Sequence, residues 1–358
     1  MKKAILILAF FISFSLDAMF QKLKVLHITF HQGCKNDFQD VAQELELDLT
    51  SWYVQSLPQD FWEGYNSGNE IYNVSHHRAQ RIWQRHKDFF NQFDVIITSD
   101  TAPLSRIFIQ NNWQKPLIIW VCNRFDYRHA MGGPDHFPDQ EYYDLIEKAT
   151  RMKNVYIISY TPYEYEYARR KGIHFGRRTI KPLGKKEGLF NGECLVPDSI
   201  EKEKTLFVFP RLSNFQMQLV LNECKHRNIL AWSGVYNGPE ELKQFKGVIF
   251  FPYAFSNLAL FENLLRGVIH FVPTQRFLQE LGFVRGGMYG NLDWCEWYFD
   301  IYREYFVFFD SWQELAHKIA LLDYQNMRKK IRAFGEIHRH NMLIEWHHLF
   351  LEIAKTIQ

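Results

Sequence analysis

The chain is poor in cysteine, with five in 358 residues, and no two of them stand as Cys-x-x-Cys. That spacing rules out a zinc ribbon or a thioredoxin-like redox motif. Scattered buried thiols, or one disulfide in an exported chain, are the readings left for Cys34, Cys122, Cys194, Cys224 and Cys295. An excess of one charge is also lacking: 42 Lys+Arg against 40 Asp+Glu leave a net charge of +2, which gives no electrostatic footprint for nucleic acid. There is no Asp-x-Asp, no GxGxxG and no GxxxxGK[ST], so metal-bound diphosphate, dinucleotide and P-loop chemistry lose their usual signatures. His338, His340, His347 and His348 lack HExxH spacing and read as surface positions, so no metal or resident cofactor is expected. Low-complexity tracts and short internal repeats are missing as well.

What is present suits two packed cores. Hydrophobic residues make up 47% and aromatics 17%, and the length exceeds that of one ordinary domain. At the start, Lys2 and Lys3 precede an apolar run over 4–16, followed by Asp17 and Ala18. Residues 1–18 therefore read as a signal peptide or signal anchor, the run being short for a spanning helix; a merely apolar leader is the rival. A working leader implies the secretory pathway or a membrane-associated location, and otherwise the cytoplasm. The sequon Asn73-Val74-Ser75 is compatible with export.

Beyond the leader, apolar runs of strand length alternate with longer segments of helical period. Residues 24–30 (KVLHITF), 94–98 (DVIIT), 117–121 (LIIWV) and 155–159 (VYIIS) read as strands, with helices over 78–93 and 142–152. The stretch 184–204, rich in glycine and mixed charge, is the linker expected. A second series follows: strands at 205–209, 229–232, 248–251, 270–272 and 306–309, and helices over 215–226, 257–266 and 311–322. The final helix, 326–356, carries a break expected at Gly335. Alternation of this kind implies two parallel sheets, each covered on both faces.

Residues 250–274, FFPYAFSNLALFENLLRGVIHFVPT, are the most informative. A strand ends in a Pro-Tyr loop, Ser256 is placed to cap the next helix, and Gly267 stops it. Backbone N–H groups at a helix start can hold a diphosphate without a positive side chain. Glu262, about two turns in, can accept hydrogen bonds from a ribose diol. A capped helix with an exposed Glu is the plain alternative. Residues 207–214, FVFPRLSN, end a strand with Arg211, which can pair bidentately with phosphate oxygens or simply face solvent.

The 250–274 segment resembles the donor-binding helix of GT-B glycosyltransferases, where a Glu before a small-residue/Gly turn contacts the nucleotide ribose. The resemblance implies an α/β chain of two Rossmann-like doubly wound domains facing across a cleft: 19–190 for the acceptor, 191–335 for the nucleotide sugar, and a C-terminal helix, 336–358, packing back towards the first. By position, Glu262 becomes the ribose ligand, the Ser256 and Asn257 amides face the diphosphate, and Arg211 offsets the leaving charge. Residues 232–237 (WSGVYN) are placed to contact the base. Many retaining members carry an earlier Glu near the donor sugar; Ala254 stands at that position here, which favours inversion.

Inverting members often place a general-base His after the first strand, held by an Asp from a later strand end. His31 and Asp100 could make that pair, with Asp100 alone as the nearest rival and His27 a buried structural His. Arg124 and Asp126 could hold acceptor hydroxyls, an ordinary solvated loop being equally consistent. Thr161 with Glu164 reads as a capping box. The basic stretch 169–186 suits an anionic acceptor, membrane headgroups or a solvated face.

The function expected is metal-independent transfer of a sugar from a nucleotide-diphosphate sugar to a hydroxyl on a glycan, glycoprotein or lipid-linked acceptor. The rivals are a sugar-nucleotide epimerase or phosphorylase on the same fold, and a two-lobed extracytoplasmic sugar-binding protein.

Overall fold

The computed structural model of the chain describes residues 23–53, 56–61, 72–129, 139–184, 196–284 and 292–357. The leader, residues 185–195 of the expected linker, and Cys194 lie outside them. Two compact units emerge: Met1–Pro182 together with Asn341–Gln358, and Leu183–His340.

In the first unit, β1 (Lys24–Thr29), β2 (Asp48–Tyr53), β3 (Val95–Asp100), β4 (Leu117–Val121) and β5 (Val155–Ser159) form one parallel sheet in the order β2-β1-β3-β4-β5. Helices α1 (Gln32–Glu44), α2 (His76–Phe90), α3 (Arg106–Ile109), α4 (Gln140–Ala149) and α5 (Pro162–Arg170) alternate with the strands. β3 and β4 are buried at every position, as continuous apolar runs in a sheet covered on both faces must be. β2 was not expected. It is an edge strand, DLTSWY, half-buried and mostly polar, so it carries neither a full apolar run nor a clean alternation. The helix starts follow local chemistry: Ser75 accepts from the Arg78 N–H at 3.3 Å, Asp139 from the Tyr142 N–H at 3.0 Å, and Thr161 and Glu164 close the capping box.

In the second unit, β6 (Leu206–Val208), β7 (Ala231–Trp232), β8 (Gly247–Ile249), β9 (His270–Pro273) and β10 (Phe306–Phe309) are again parallel, in the order β10-β9-β8-β6-β7. Around them lie α6 (Asn214–His226), α7 (Gly238–Leu242), α8 (Leu258–Leu265), α9 (Gln275–Glu280), α10 (Trp312–Leu321) and α11 (Tyr324–Ile357). Read from the other edge, this is the strand order of the first sheet. Both sheets therefore reverse direction beside their own first strand, between β1 and β3 and between β6 and β8. Ligands of open α/β sheets bind outside the carboxyl ends at such a point.

α11 runs unbroken, and Gly335 does not interrupt it. A Cβ at Gly335 would stand 2.6 Å from the Leu265 nitrogen and 2.7 Å from the Leu264 carbonyl carbon. The glycine thus permits close backbone contact between α11 and α8. Gly267, at φ 70, is the glycine that ends a helix as expected. Residues of α11 beyond His340 belong to the first unit, where Trp346 is buried with ring centroids 5.2 Å from Phe38 and 5.4 Å from Trp120. Among the described residues, no helix is long and apolar enough to cross a membrane.

Candidate functional site

The expected site residues fall into two groups, one in each unit: His31 and Asp100 at the reversal point of the first sheet with Arg124 and Asp126 beyond β4, and Arg211, Ser256, Asn257 and Glu262 beyond the strands of the second.

In the first unit, β1 ends at Thr29 and His31 becomes the N-cap of α1, with extended φ −114 and ψ 123. The Thr29 hydroxyl accepts from the His31 N–H at 3.2 Å, and His31 Nδ1 accepts from the Gly33 N–H at 3.0 Å. A neutral His31 ring in this setting carries its proton on Nε2. The tautomer is set by a backbone amide that needs a cap, where a carboxylate from Asp100 was expected. His27, inside β1, is fully buried with its Nε2 2.8 Å from the Ser99 hydroxyl, and burial pushes it down to about 3.

Asp100 ends β3 at φ 74, a left-handed conformation that is strained for a residue with a Cβ. The side chain is buried, and its Oδ2 has no hydrogen-bond partner among the described residues. Burial, reinforced by Cys34, pushes its carboxyl up to about 7, opposed by His31 and by a hydrogen bond with Tyr72. Tyr72 stands edge-on between Phe30 and Tyr127, at 5.2 Å from each ring. Cys34 stands in the first turn of α1, and its neighbours Cys122, His31 and Ser99 hold its thiol below the usual range against the opposing effect of burial.

Beyond β4, the Arg124 guanidinium lies 5.6 Å from the Tyr127 ring and 6.0 Å from the Tyr167 ring. Asp126 departs from expectation. It is wholly buried, and its Oδ2 accepts from the Tyr143 hydroxyl and, at 3.2 Å, from the Tyr167 hydroxyl. Its Oδ2 is thus held by two phenols, which brace the loop, while its Oδ1 is buried without a hydrogen-bond partner among the described residues.

In the second unit, the Phe209 N–H continues the ladder to the Ile249 carbonyl at 3.1 Å, and Arg211 follows, exposed. Its guanidinium lies 5.5 Å from the Tyr253 ring, which itself stacks on Phe209 at 6.2 Å and 10°. Asn257, and not Ser256, caps α8: its Oδ1 accepts from the Ala259 N–H at 3.0 Å while its Nδ2 donates to the Tyr253 hydroxyl at 3.0 Å. The amide serves both ends of that bridge, which a serine hydroxyl could not do as well. Ser256 is half-buried in the loop before it.

Glu262 is half-buried in α8. Burial first, and then the charges of Tyr253 and Glu262, push the Tyr236 phenol well up, with Arg211 opposing. Arg211, Tyr236, Tyr253, Asn257 and Glu262 therefore gather beyond β6, β7 and β8. Trp232 instead stacks on Phe245, at 6.2 Å and 9°, so Tyr236 is the member of the 232–237 segment that reaches the group. Tyr236, Tyr253 and Tyr72 were not singled out by sequence. The one signal available was an aromatic residue just outside a strand end. Among the described residues, no three His, Cys, Asp or Glu side chains are grouped to hold a metal ion.

No protein-family model matches the chain, and no curated protein matches it in sequence. Solved structures do. It is similar to Arabidopsis thaliana UGT89C1 complexed with UDP-L-rhamnose, at TM-score 0.52 and 13% identity over 93% of this chain and 99% of that one. The same protein complexed with UDP gives TM-score 0.50 and 13% identity over 93% and 100%. LpCGTa in complex with UDP gives TM-score 0.50 and 9% identity over 90% and 99%. The fold is that of the GT-B glycosyltransferases, with two Rossmann-like units.

Proposed function

We propose that this chain is a glycosyltransferase that moves a sugar from a nucleoside-diphosphate sugar to a hydroxyl acceptor, with inversion and without a metal ion. The observation that carries the reading is the gathering of Arg211, Tyr236, Tyr253, Asn257 and Glu262 at the reversal point of the second sheet. Arg211 offsets charge on the leaving diphosphate, the start of α8 at Ser256 and Asn257 offers amides to it, and Glu262 accepts hydrogen bonds from the ribose. The UDP and UDP-L-rhamnose named with the similar structures support a uridine donor as the first to test.

In the first unit, Asp100 is the base that takes the proton from the acceptor hydroxyl. A carboxyl held near 7 by burial is matched to proton transfer at neutral pH. His31, with its Nδ1 on the Gly33 amide, positions the Asp100 surroundings and does not serve as the base. Arg124 is assigned to the acceptor.

Calorimetric titration with UDP, and with UDP-, GDP- and CMP-linked sugars, tests the donor assignment. One uridine ligand should bind saturably and raise apparent stability by about 2.7 kcal/mol at 100 times its Kd. Glu262→Gln should weaken that binding roughly 10-fold to 100-fold, and Arg211→Ala should lower kcat by a factor on the order of 10² with EDTA without effect. Tight binding of a free sugar with indifference to every nucleotide would instead mark a binding protein. Conversion of donor in the absence of acceptor would mark an epimerase.

A further inference from the structure

We propose that the loop after β4 holds an oxyanion-binding site built on Arg128 and Arg124, and that the acceptor accordingly carries its own anionic group, a phosphate or a carboxylate. The acceptor half of this statement rests on the function proposed above. The loop is fixed on both sides of Arg128. The Arg124 carbonyl accepts from the Tyr127 N–H at 3.1 Å, and the Asp126 carbonyl from the His129 N–H at 2.7 Å. Asp126 is wholly buried against the Tyr143 and Tyr167 hydroxyls. His129 is buried too: its Nε2 accepts from the Val74 N–H at 3.1 Å, and its Nδ1 stands 3.1 Å from the Asp139 carboxylate. A side chain between two such anchors is pre-organised for a ligand.

Arg128 is out of place there as a structural residue. Its backbone is left-handed, at φ 67, where glycine or asparagine sits with less strain. Its guanidinium lies 5.7 Å from the Tyr127 ring, which the Arg124 guanidinium also approaches, at 5.6 Å. Two cations therefore share one half-buried aromatic side chain. The Arg128 Nε is buried without a hydrogen-bond partner among the described residues. A buried N–H of this kind calls for an acceptor, and the planar fork that carries it matches two oxygens of a phosphate or a carboxylate. An anion bound here meets the orphaned donor and relieves the repulsion between the two arginines at once.

The basic stretch 169–186 is different. Arg169 and Arg170 pair with Glu166 at 2.6 Å and 3.1 Å, and Arg178 pairs with Glu352 at 2.7 Å, so those charges are already met. The loop of Arg124 and Arg128, in contrast, starts beside Asp100. Val121, the last residue of β4, lies in register with Asp100, and the Cys122 N–H donates to the Asp100 carbonyl at 3.2 Å. Tyr72 packs edge-on against Tyr127 at 5.2 Å. The two arginines thus stand in the segment that leaves the strand end next to the proposed base, where a charged substituent of the acceptor can be held while a hydroxyl reacts.

The test is calorimetric titration of the full chain at low salt with glucose 6-phosphate, with glucuronate and, as the neutral control, with glucose. At least one of the anions should bind saturably and glucose should not; the tighter anion tells phosphate from carboxylate. Arg128→Gly and Arg128→Asn both suit the left-handed turn, so each should keep the wild-type melting profile and yet bind the anion at least roughly 10-fold more weakly. Arg211→Gln should leave that binding in place, which separates the site from the donor diphosphate. No saturable binding of either anion, glucose binding as tightly, wild-type affinity in the Arg128 variants, or a loss in Arg211→Gln alone overturns the proposal. With a sugar donor that the chain uses, the charged member of a matched acceptor pair should show the higher kcat/KM, and Arg128→Asn should bring the ratio towards one. A ratio that stays put beside lost anion binding refutes the acceptor assignment alone. If the chain transfers no sugar, the titrations still decide the oxyanion site.

Discussion

Asp100 combines a left-handed backbone, a buried carboxyl and a pKa near neutrality, and those properties pull stability and chemistry in opposite directions. Folding lifts the group from 3.8 to about 7, so the unfolded chain holds fewer protons between those values. The stability it contributes is therefore fully present below pH 4 and lost as pH rises through 7. Asp100→Asn should be more stable than wild type at pH 8, on the order of 2–4 kcal/mol given about 1.4 kcal/mol per pKa unit, with the difference closing near pH 4. The same variant should lose roughly 10² to 10⁴ in kcat/KM, and the wild-type profile should fall with unit slope below pH 7. Denaturant melts at pH 4 and pH 8 decide the first point; a variant no more stable at pH 8 removes the buried-charge account. At this scale the sequence was partly readable. His31, Asp100, Arg211 and Glu262 stood out because each is a polar residue just past a strand or along a capped helix. Burial was not readable: Asp126 sits among as many polar neighbours in sequence as Arg124 does, yet the fold encloses it between Tyr143 and Tyr167. The tautomer of His31 was hidden too, because it depends on which residue caps α1.

Among the elements of the described residues, nine of the ten strands follow from apolar runs of strand length; β2 does not, since an edge strand needs burial on only part of its surface. Helices announced themselves by period and cap, and their ends shift by a few residues where a neighbouring side chain makes the better cap. Asn257 displaces Ser256 because its amide bonds the Ala259 N–H and the Tyr253 hydroxyl together. Gly335 shows a different limit. Its sequence signature is that of a helix break, but what it meets is a distant stretch of backbone, which no local pattern reveals. Gly335→Ala must push that backbone aside, an overpacking cost of about 1–3 kcal/mol, against about 1 kcal/mol gained from the better helix former. A net loss on the order of 1 kcal/mol is expected in urea melts, and a stabilised variant would show that α8 and α11 do not approach so closely.

Across the whole molecule, among the described residues, each unit carries a fully buried histidine on a core strand, His27 on β1 and His270 on β9, and burial pushes both down to about 3. For a group depressed on folding, the stability is present above the unfolded value of 6.5 and is lost as pH falls towards 3. Melting temperature should therefore decline steadily below pH 6.5, and His27→Gln and His270→Gln should each flatten that decline; unchanged slopes in both variants would place the acid sensitivity elsewhere. The doubled strand order, legible as alternation but not as pairing, gives both sheets a reversal point beside their first strand. Residues from Asn341 onward complete the first unit, with Trp346 seated against Phe38 and Trp120. During synthesis the front half thus waits, with an aromatic socket open, until the ribosome has made the final helix. A chain stopped short of Asn341 would lose its hold on the earliest part it made, so damage at the tail is felt first at the head.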